Sequence, residues 1–368
     1  MIVGVDGTVF VDKLTGIGRY CYELLIEWAK LSPEKTFYIY TPFALSVTFD
    51  NKNIIVKKDS FFSKGNRFNR VKKLIWMHFL LPIYLKKDDV DIFWSGNGIV
   101  PFFKTTKLMI TIHDFVYKLF PETMHPMSYY NRKFFQAIAI NKSDIIFSNS
   151  QSTANELKIY YNREVDDVIR PSISNIFKQK EQNEIKNVIN KYHLPDKYNL
   201  IVATFEPRKN LELFISIYID ILSKNIDLSP LVLVGKSGWK DSSINELIKK
   251  GIKLNYILET GYIDYDDLPS LYSGADTFFM PSLYEGFGIP ILEARRCGTS
   301  VICSNVPAMQ EAGGENCIYH IPTKEGIENA LNSLANKEIN FINDYANDFK
   351  ETWKTGALKV NTLANSLK

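Results

Sequence analysis

Short apolar runs alternate along the chain with longer segments in which apolar residues recur every three or four positions. The first pattern marks strands and the second amphipathic helices. In the first half the runs predict strands at 2–5, 37–40, 54–56, 91–94, 108–112 and 145–148. Helical periodicity falls between them at 18–30, 67–86, 126–141 and 153–161. Strands this short and this apolar, separated by helices, predict a parallel sheet covered on both faces.

Around residues 171–198 the pattern breaks. KQKEQNEIKNVINKYHLPDKY is polar and contains a proline, and it reads as a linker with a short helix. The alternation then restarts. Strands are predicted at 199–204, 231–234, 256–258, 277–280 and 300–302, and helices at 210–223, 244–250, 267–272, 290–297 and 325–334. A last helix is predicted at 341–367. The expected fold class is α/β, with two doubly wound, Rossmann-like domains. The expected domains are 1–175, 176–345 and a terminal helix, 346–368, packing back on the first. Such sheets bind ligands at the carboxyl ends of their strands, so a cleft between the two halves is the expected site.

Composition narrows this picture. With 368 residues, 45% of them hydrophobic and 23% charged, the chain has material for two cores. Its net charge of +3 is too small to point to nucleic acid. The balance is uneven, at +6 up to Pro171 and −3 beyond it, so a basic first half could face phosphates or an anionic membrane. Cys21, Cys297, Cys303 and Cys317 form no CxxC pair and no metal-like spacing with histidine, which suits free thiols in a reducing compartment. MIVGVDG reads as a strand rather than a signal peptide, and no apolar run approaches ~20 residues, so a cytoplasmic location is expected. Residues 60–87 hold seven basic residues and no acidic one, interleaved with Phe62, Phe68, Trp76, Phe79 and Leu81. This is either a helix for the surface of a membrane or an ordinary amphipathic helix kinked at Pro82.

Five short stretches carry candidate chemistry. In YEGFGIPILEARRCG, a loop leaves a strand and opens a helix, with Pro290 suited to its start and Gly298 to its end. Amides around Gly288 and Ile289 would then sit at a helix N-terminus, where anions bind, and Gly286 and Gly288 let backbone approach a ligand. Glu293, one turn in, can accept from two vicinal hydroxyls, and Glu285 can reach another part of the same ligand. The plainer alternative is local capping and a helix-dipole charge. In TFEPRKNLELF, Arg208 and Lys209 stand at a strand-to-helix turn and can neutralise a diphosphate; elsewhere such a pair is simply solvated. LTGIGRYCYELL supplies Gly16 and Gly18 without the full dinucleotide fingerprint. LMITIHDF ends on His113 and Asp114 at a strand tip. DYDD, at 264–267, invites a metal reading, but capping of the following helix explains it better. A phosphate held between two hydroxyl-rich groups describes a nucleotide sugar.

These motifs resemble the retaining GT-B glycosyltransferases, the large family that includes sucrose synthase-like enzymes and bacterial mannosyltransferases. EGFGIPILEA is similar to the family's E-x7-E signature, and FEPRKN, GIGRY and ITIHD fall in the family's order. The resemblance implies that Glu285 contacts the transferred sugar, with the amides of 287–289 against the sugar or its phosphate. It further implies that Glu293 binds the ribose, Arg208 and Lys209 the diphosphate, and that His113 approaches the sugar from the other domain. Tyr262, with Ile263, is the candidate for the base. Where many members have Gly-Arg, this chain has Ala203-Thr204, which leaves more of the phosphate charge to Arg208. No metal or other cofactor is implied. The wording is most similar to mannosyltransferases of O-antigen assembly. That implies GDP-mannose as donor, with a UDP-linked glucose or N-acetylglucosamine as the alternative, and a lipid-linked glycan as acceptor. A nucleotide-sugar epimerase of the same fold and a nicotinamide-dependent oxidoreductase are the competing readings.

Overall fold

The computed structural model describes residues 1–14, 16–59, 69–235, 242–341 and 351–367. The chain forms two compact units, Met1–Ser172 with Glu351–Lys368, and Ile173–Lys350.

The first unit is built on β1 (Ile2–Asp6), β2 (Thr36–Thr41), β3 (Ile54–Lys58), β4 (Ile92–Ser95), β5 (Lys107–Ile112), β6 (Ile145–Ser148) and β7 (Asp167–Val168). They lie in the order β3-β2-β1-β4-β5-β6-β7, and every pairing is parallel. On one face, helix Gly16–Leu31 contributes Tyr20, Leu24, Leu25 and Trp28 to the core. Helix Trp353–Asn365 returns to the same core with Trp353, Ala357, Val360 and Ala364. Asn361 fastens it there, accepting from Trp28 Nε1 at 3.1 Å and Ser32 Oγ at 2.9 Å. The opposite face is covered by Trp76, Leu81, Leu85, Ala139 and Leu157 among others.

The second unit contains β8 (Asn199–Val202), β9 (Leu231–Val234), β10 (Ile257–Gly261), β11 (Thr277–Met280), β12 (Ser300–Ser304) and β13 (Ile318–His320). The order is β10-β9-β8-β11-β12-β13, again parallel throughout. Both units are therefore Rossmann-like. Strand order reverses between β1 and β4 in one and between β8 and β11 in the other, and ligands of such sheets sit at that reversal.

Several elements differ from the sequence expectation. Residues from 173 onward belong to the second unit, and helix Gln182–Tyr192 buries Ile185 and Val188 in its core. The short helix expected in this polar segment is present, but the apolar stripe it buries makes it part of the second unit and not a linker. β7, β13 and helix Pro307–Gly313 were not foreseen, being short and lacking strong periodicity. Pro82 does not produce a simple kink. Helix Asn69–Ile75 passes through a π turn, Trp76–Leu80, before continuing as Leu81–Lys87. The turn loosens the ladder at His78, the residue to which an N–H at position 82 would have bonded. The remainder of the basic stretch, 60–68, and the start of the expected last helix lie outside the described residues. DYDD does not cap by its side chains. Asp264 and Asp267 pair with Lys191 at 3.3 and 2.6 Å, and Asp267 also accepts from Tyr192 Oη at 2.7 Å. Among the described residues no group of three or more His, Cys, Asp and Glu could hold a metal ion, and no helix is long and apolar enough to cross a membrane.

Candidate active site

Two loops leave the strands that flank the reversal in the second sheet. The loop after β8 forms a tight turn, Pro207–Lys209, and enters helix Leu211–Ser223 through Asn210, whose φ of +58° is tolerated by asparagine better than by most residues. The loop after β11 carries Ser282 to Gly288 and enters helix Ile289–Arg296. Gly288 stands at the junction with φ +114°, a conformation that would strain any other residue. The amide of Leu283 donates to the carbonyl of Arg208 at 2.8 Å, so the two loops are stitched together.

This stitching places Glu285 against both cations. Lys209 Nζ lies 2.5 Å from one carboxylate oxygen and Arg208 Nη1 3.1 Å from the other. Ser282 Oγ donates to Glu285 at 2.7 Å. Arg208 is oriented further by Glu206, 3.0 Å from its Nε, and by the carbonyl of Tyr284 at 3.2 Å. The cluster is largely dry, with the side chains of Glu285 and Lys209 only 9% and 12% exposed. Burial alone would raise the carboxyl pKa of Glu285, but Lys209 and Arg208 outweigh it and hold the value at about 2. Burial also pulls the Lys209 ammonium down, and the adjoining Glu285 charge opposes that pull. At neutral pH Glu285 is a carboxylate and cannot donate a proton.

Glu293 is half-buried in helix Ile289–Arg296 and accepts from Tyr272 Oη at 2.9 Å. Burial, reinforced by that carboxylate, keeps the phenol protonated far above neutrality. Phe287 is buried in the core of the unit. Tyr262 follows β10, the edge strand, and is 46% exposed. A cavity of about 790 Å³ opens beside the Pro207–Lys209 turn, but its lining includes Glu206, Glu212 and Glu246 and neither Glu285 nor Glu293. Its acidic lining disfavours a diphosphate.

In the first unit His113 follows β5 and is 8% exposed. Its Nε2 lies 2.7 Å from the carbonyl of Gly96, just beyond β4, and its ring meets the edge of Tyr20 at 5.0 Å. Burial lowers its pKa to about 4, with Asp114 and Arg132 acting in opposite directions. A carbonyl can only accept, so Nε2 carries the proton and Nδ1 is left with a lone pair. Gly96 is needed there, since a Cβ would stand 2.2 Å from Cys21 Sγ. Gly18 is likewise a packing glycine, its missing Cβ falling 2.9 Å from the carbonyl of Val9, while Gly16 is the exposed first residue of its helix. Gly16, Gly18 and His113 thus belong to one unit, and the remaining candidates to the other.

The sequence reading missed the supporting residues. Glu206 lies inside FEPRKN and Ser282 three residues before Glu285, so both carry a local signal. Tyr272 and Gly96 come from distant segments and carry no local signal.

The family model of the group 1 glycosyl transferases matches residues 179–354. Over 324 residues the chain is 30% identical to O-antigen chain mannosyltransferase B of Escherichia coli, covering 82% of each. Among solved structures, sucrose-phosphate synthase from Thermosynechococcus elongatus superposes with a TM-score of 0.72 at 18% identity, over 100% of this chain and 98% of that one. Anabaena Alr3699/HepE, in complex with UDP and glucose, gives 0.71 at 18% identity over 99% of each. These two likenesses show the fold, that of the GT-B enzymes. On the family match and the similarity spanning 82% of both chains, this chain belongs to the group 1 glycosyl transferases and is a nucleotide-sugar-dependent glycosyltransferase of GT-B fold.

Proposed function

We propose that the enzyme transfers a hexose, with retention of anomeric configuration, from a nucleoside diphosphate sugar to a lipid-linked glycan in the synthesis of a bacterial surface polysaccharide. The observation that carries this reading is the buried Arg208–Lys209–Glu285 cluster at the strand reversal of the second unit. In it two cations stand ready for a diphosphate, and a permanent carboxylate stands ready for sugar hydroxyls. Glu293 takes the ribose diol, with Tyr272 fixing one of its oxygens, and the amides of 287–289 face the sugar phosphate.

The protonation states favour a front-face route. Glu285 is ionised and His113 holds its only proton on a carbonyl, so neither supplies an acid. The sugar–phosphate bond loosens toward an oxocarbenium-like state, and the departing phosphate oxygen takes the proton of the attacking acceptor hydroxyl. Arg208 and Lys209 stabilise the charge that develops on the leaving diphosphate.

Two donors have specific support. A UDP-linked hexose is placed first, because the ligand seen in the HepE complex is UDP with glucose. GDP-mannose is supported by the relative described as an O-antigen chain mannosyltransferase. That name also supports the surface-glycan acceptor. A thermal-shift panel of nucleotides and nucleotide sugars tests the proposal. Stabilisation by UDP species alone selects the first donor and by GDP species alone the second, and a flat panel overturns the site. Product analysis without acceptor separates transfer from epimerisation, since an epimerase converts donor by itself.

A further inference from the structure

We infer that the first unit carries a docking surface for an anionic lipid bilayer, assembled from three separate segments of chain. In the stretch Asn69–Lys87, Val71, Ile75, Phe79 and Ile83 recur at every fourth residue and are 47%, 45%, 53% and 61% exposed. The opposite side of the same helix, with Trp76, Met77, Leu81 and Leu85, is buried in the core. Core packing therefore explains half of the helix's apolar residues and leaves a second apolar stripe facing outward.

Two further segments extend that stripe. Phe103 and Phe134 are 60% and 57% exposed. The ring of Phe79 lies 6.5 Å from that of Phe103 and 6.3 Å from that of Phe102, which in turn is 6.5 Å from Phe134. The patch is thus continuous. It is also held from beneath, because His78 is buried and stacked between Phe102 at 4.1 Å and Phe135 at 4.3 Å. A continuous, braced aromatic surface on the outside of a protein marks an interaction site.

Charge selects the partner. Residues 69–87, 99–107 and 126–142 contain ten basic side chains and no acidic one. Lys104 and Lys107 answer Asp144, and Lys73 answers Asp12. Lys86, Lys87 and Lys133 are exposed within the same segments as Ile83 and Phe134. Aromatic and aliphatic side chains among lysines suit the headgroup boundary of an anionic membrane. A second copy of the same face would instead oppose basic residues with basic residues. The inference rests on the lipid-linked acceptor only for its purpose: a bilayer would hold enzyme and acceptor together.

Co-sedimentation with phosphatidylcholine vesicles, with and without phosphatidylglycerol, tests the surface. The expected result is binding at least tenfold tighter to the anionic vesicles, weakening as salt is raised. A Phe79→Ser/Phe103→Ser/Phe134→Ser variant and a Lys86→Glu/Lys87→Glu variant should each lose about tenfold, while nucleotide-induced thermal shifts stay at the wild-type value. Absence of wild-type binding to anionic vesicles would overturn the inference, as would equal binding by the serine variant. A wild-type dimer in sedimentation velocity that the serine variant abolishes would also overturn it and assign the face to self-association. Nucleotide shifts are read without vesicles, so their failure would strike the transferase reading and leave the surface standing.

Discussion

At the strand tips of the second unit, Glu285 is buried between Lys209 and Arg208 and stays ionised. At the strand tips of the first, His113 is equally buried but meets a carbonyl and an aromatic edge, and it stays neutral. The two sheets share one strand order through their first six strands. Burial works against charge in both places. Two cations reverse its effect on Glu285, whereas around His113 the opposed charges of Asp114 and Arg132 do not. The same topology thus keeps an ionised carboxylate between two cations in one half and presents an uncharged acceptor of hydrogen bonds in the other.

Removing a cation should break the comparison most severely. Lys209→Ala removes a charge-assisted contact worth about 1.5–3 kcal/mol, and about 1.4 kcal/mol is tenfold in rate. Steady-state turnover with soluble donor should fall roughly ten- to a hundredfold or more, and unchanged turnover would remove Lys209 from the mechanism. The same substitution leaves Glu285 with one cation fewer in a dry site, a change that costs about 3–5 kcal/mol when a buried pair is broken. Urea unfolding should show that loss, and the double variant Lys209→Ala/Glu285→Ala should recover part of it.

Glu293→Gln should act on affinity. Loss of one carboxylate's grip on the ribose predicts roughly a tenfold rise in donor Kd by calorimetry, about 1.4 kcal/mol, with kcat little changed. A change confined to kcat would move Glu293 from the ribose to the reacting centre.

For His113 the expected result is a flat line. With its pKa lowered to about 4, the rate profile should show no inflection around the ordinary histidine value of 6.5. An inflection there that His113→Asn abolishes would contradict a neutral His113.

Stability against pH gives the smallest effect and sharpens the same contrast. Both groups have folded-state pKa values below their ordinary ones, so each favours the folded protein at high pH. His113 loses that contribution as pH falls from 6.5 toward about 4, and Glu285 as it falls from 4.5 toward about 2. Glu285→Gln should flatten the lower window of a thermal-melting series and leave the upper one intact. Equal slopes in wild type and variant would show that Glu285 is not held by its cations.

Much of the fold was legible because strands buried on both faces leave unbroken apolar runs. TFFM and LVLV read as β11 and β9 to the residue. Where a helix buries a narrow stripe, as Ile185 and Val188 do in a polar segment, the helix was legible but its burial in a core was not. The candidate site was legible where chemistry is local, since FEPRKN contains Arg208 and Lys209 and EGFGIPILE contains Glu285 and Glu293. Their pairing was not. The sequence reading gives Lys209 to phosphate and Glu285 to sugar as separate tasks, and only the folded loops reveal that they hold each other at 2.5 Å. The aromatic surface of the first unit depended on the same kind of assembly, because Phe79, Phe103 and Phe134 are far apart in sequence.

The central claim is that this buried cluster releases its cations to the donor's diphosphate. Crystals soaked with UDP-glucose, and in parallel with GDP-mannose, test it directly. The account predicts, for the donor that binds, diphosphate oxygens within hydrogen-bond reach of Arg208 and Lys209 and the ribose diol on Glu293. A diphosphate bound elsewhere, with Arg208 and Lys209 still closed on Glu285, would contradict it.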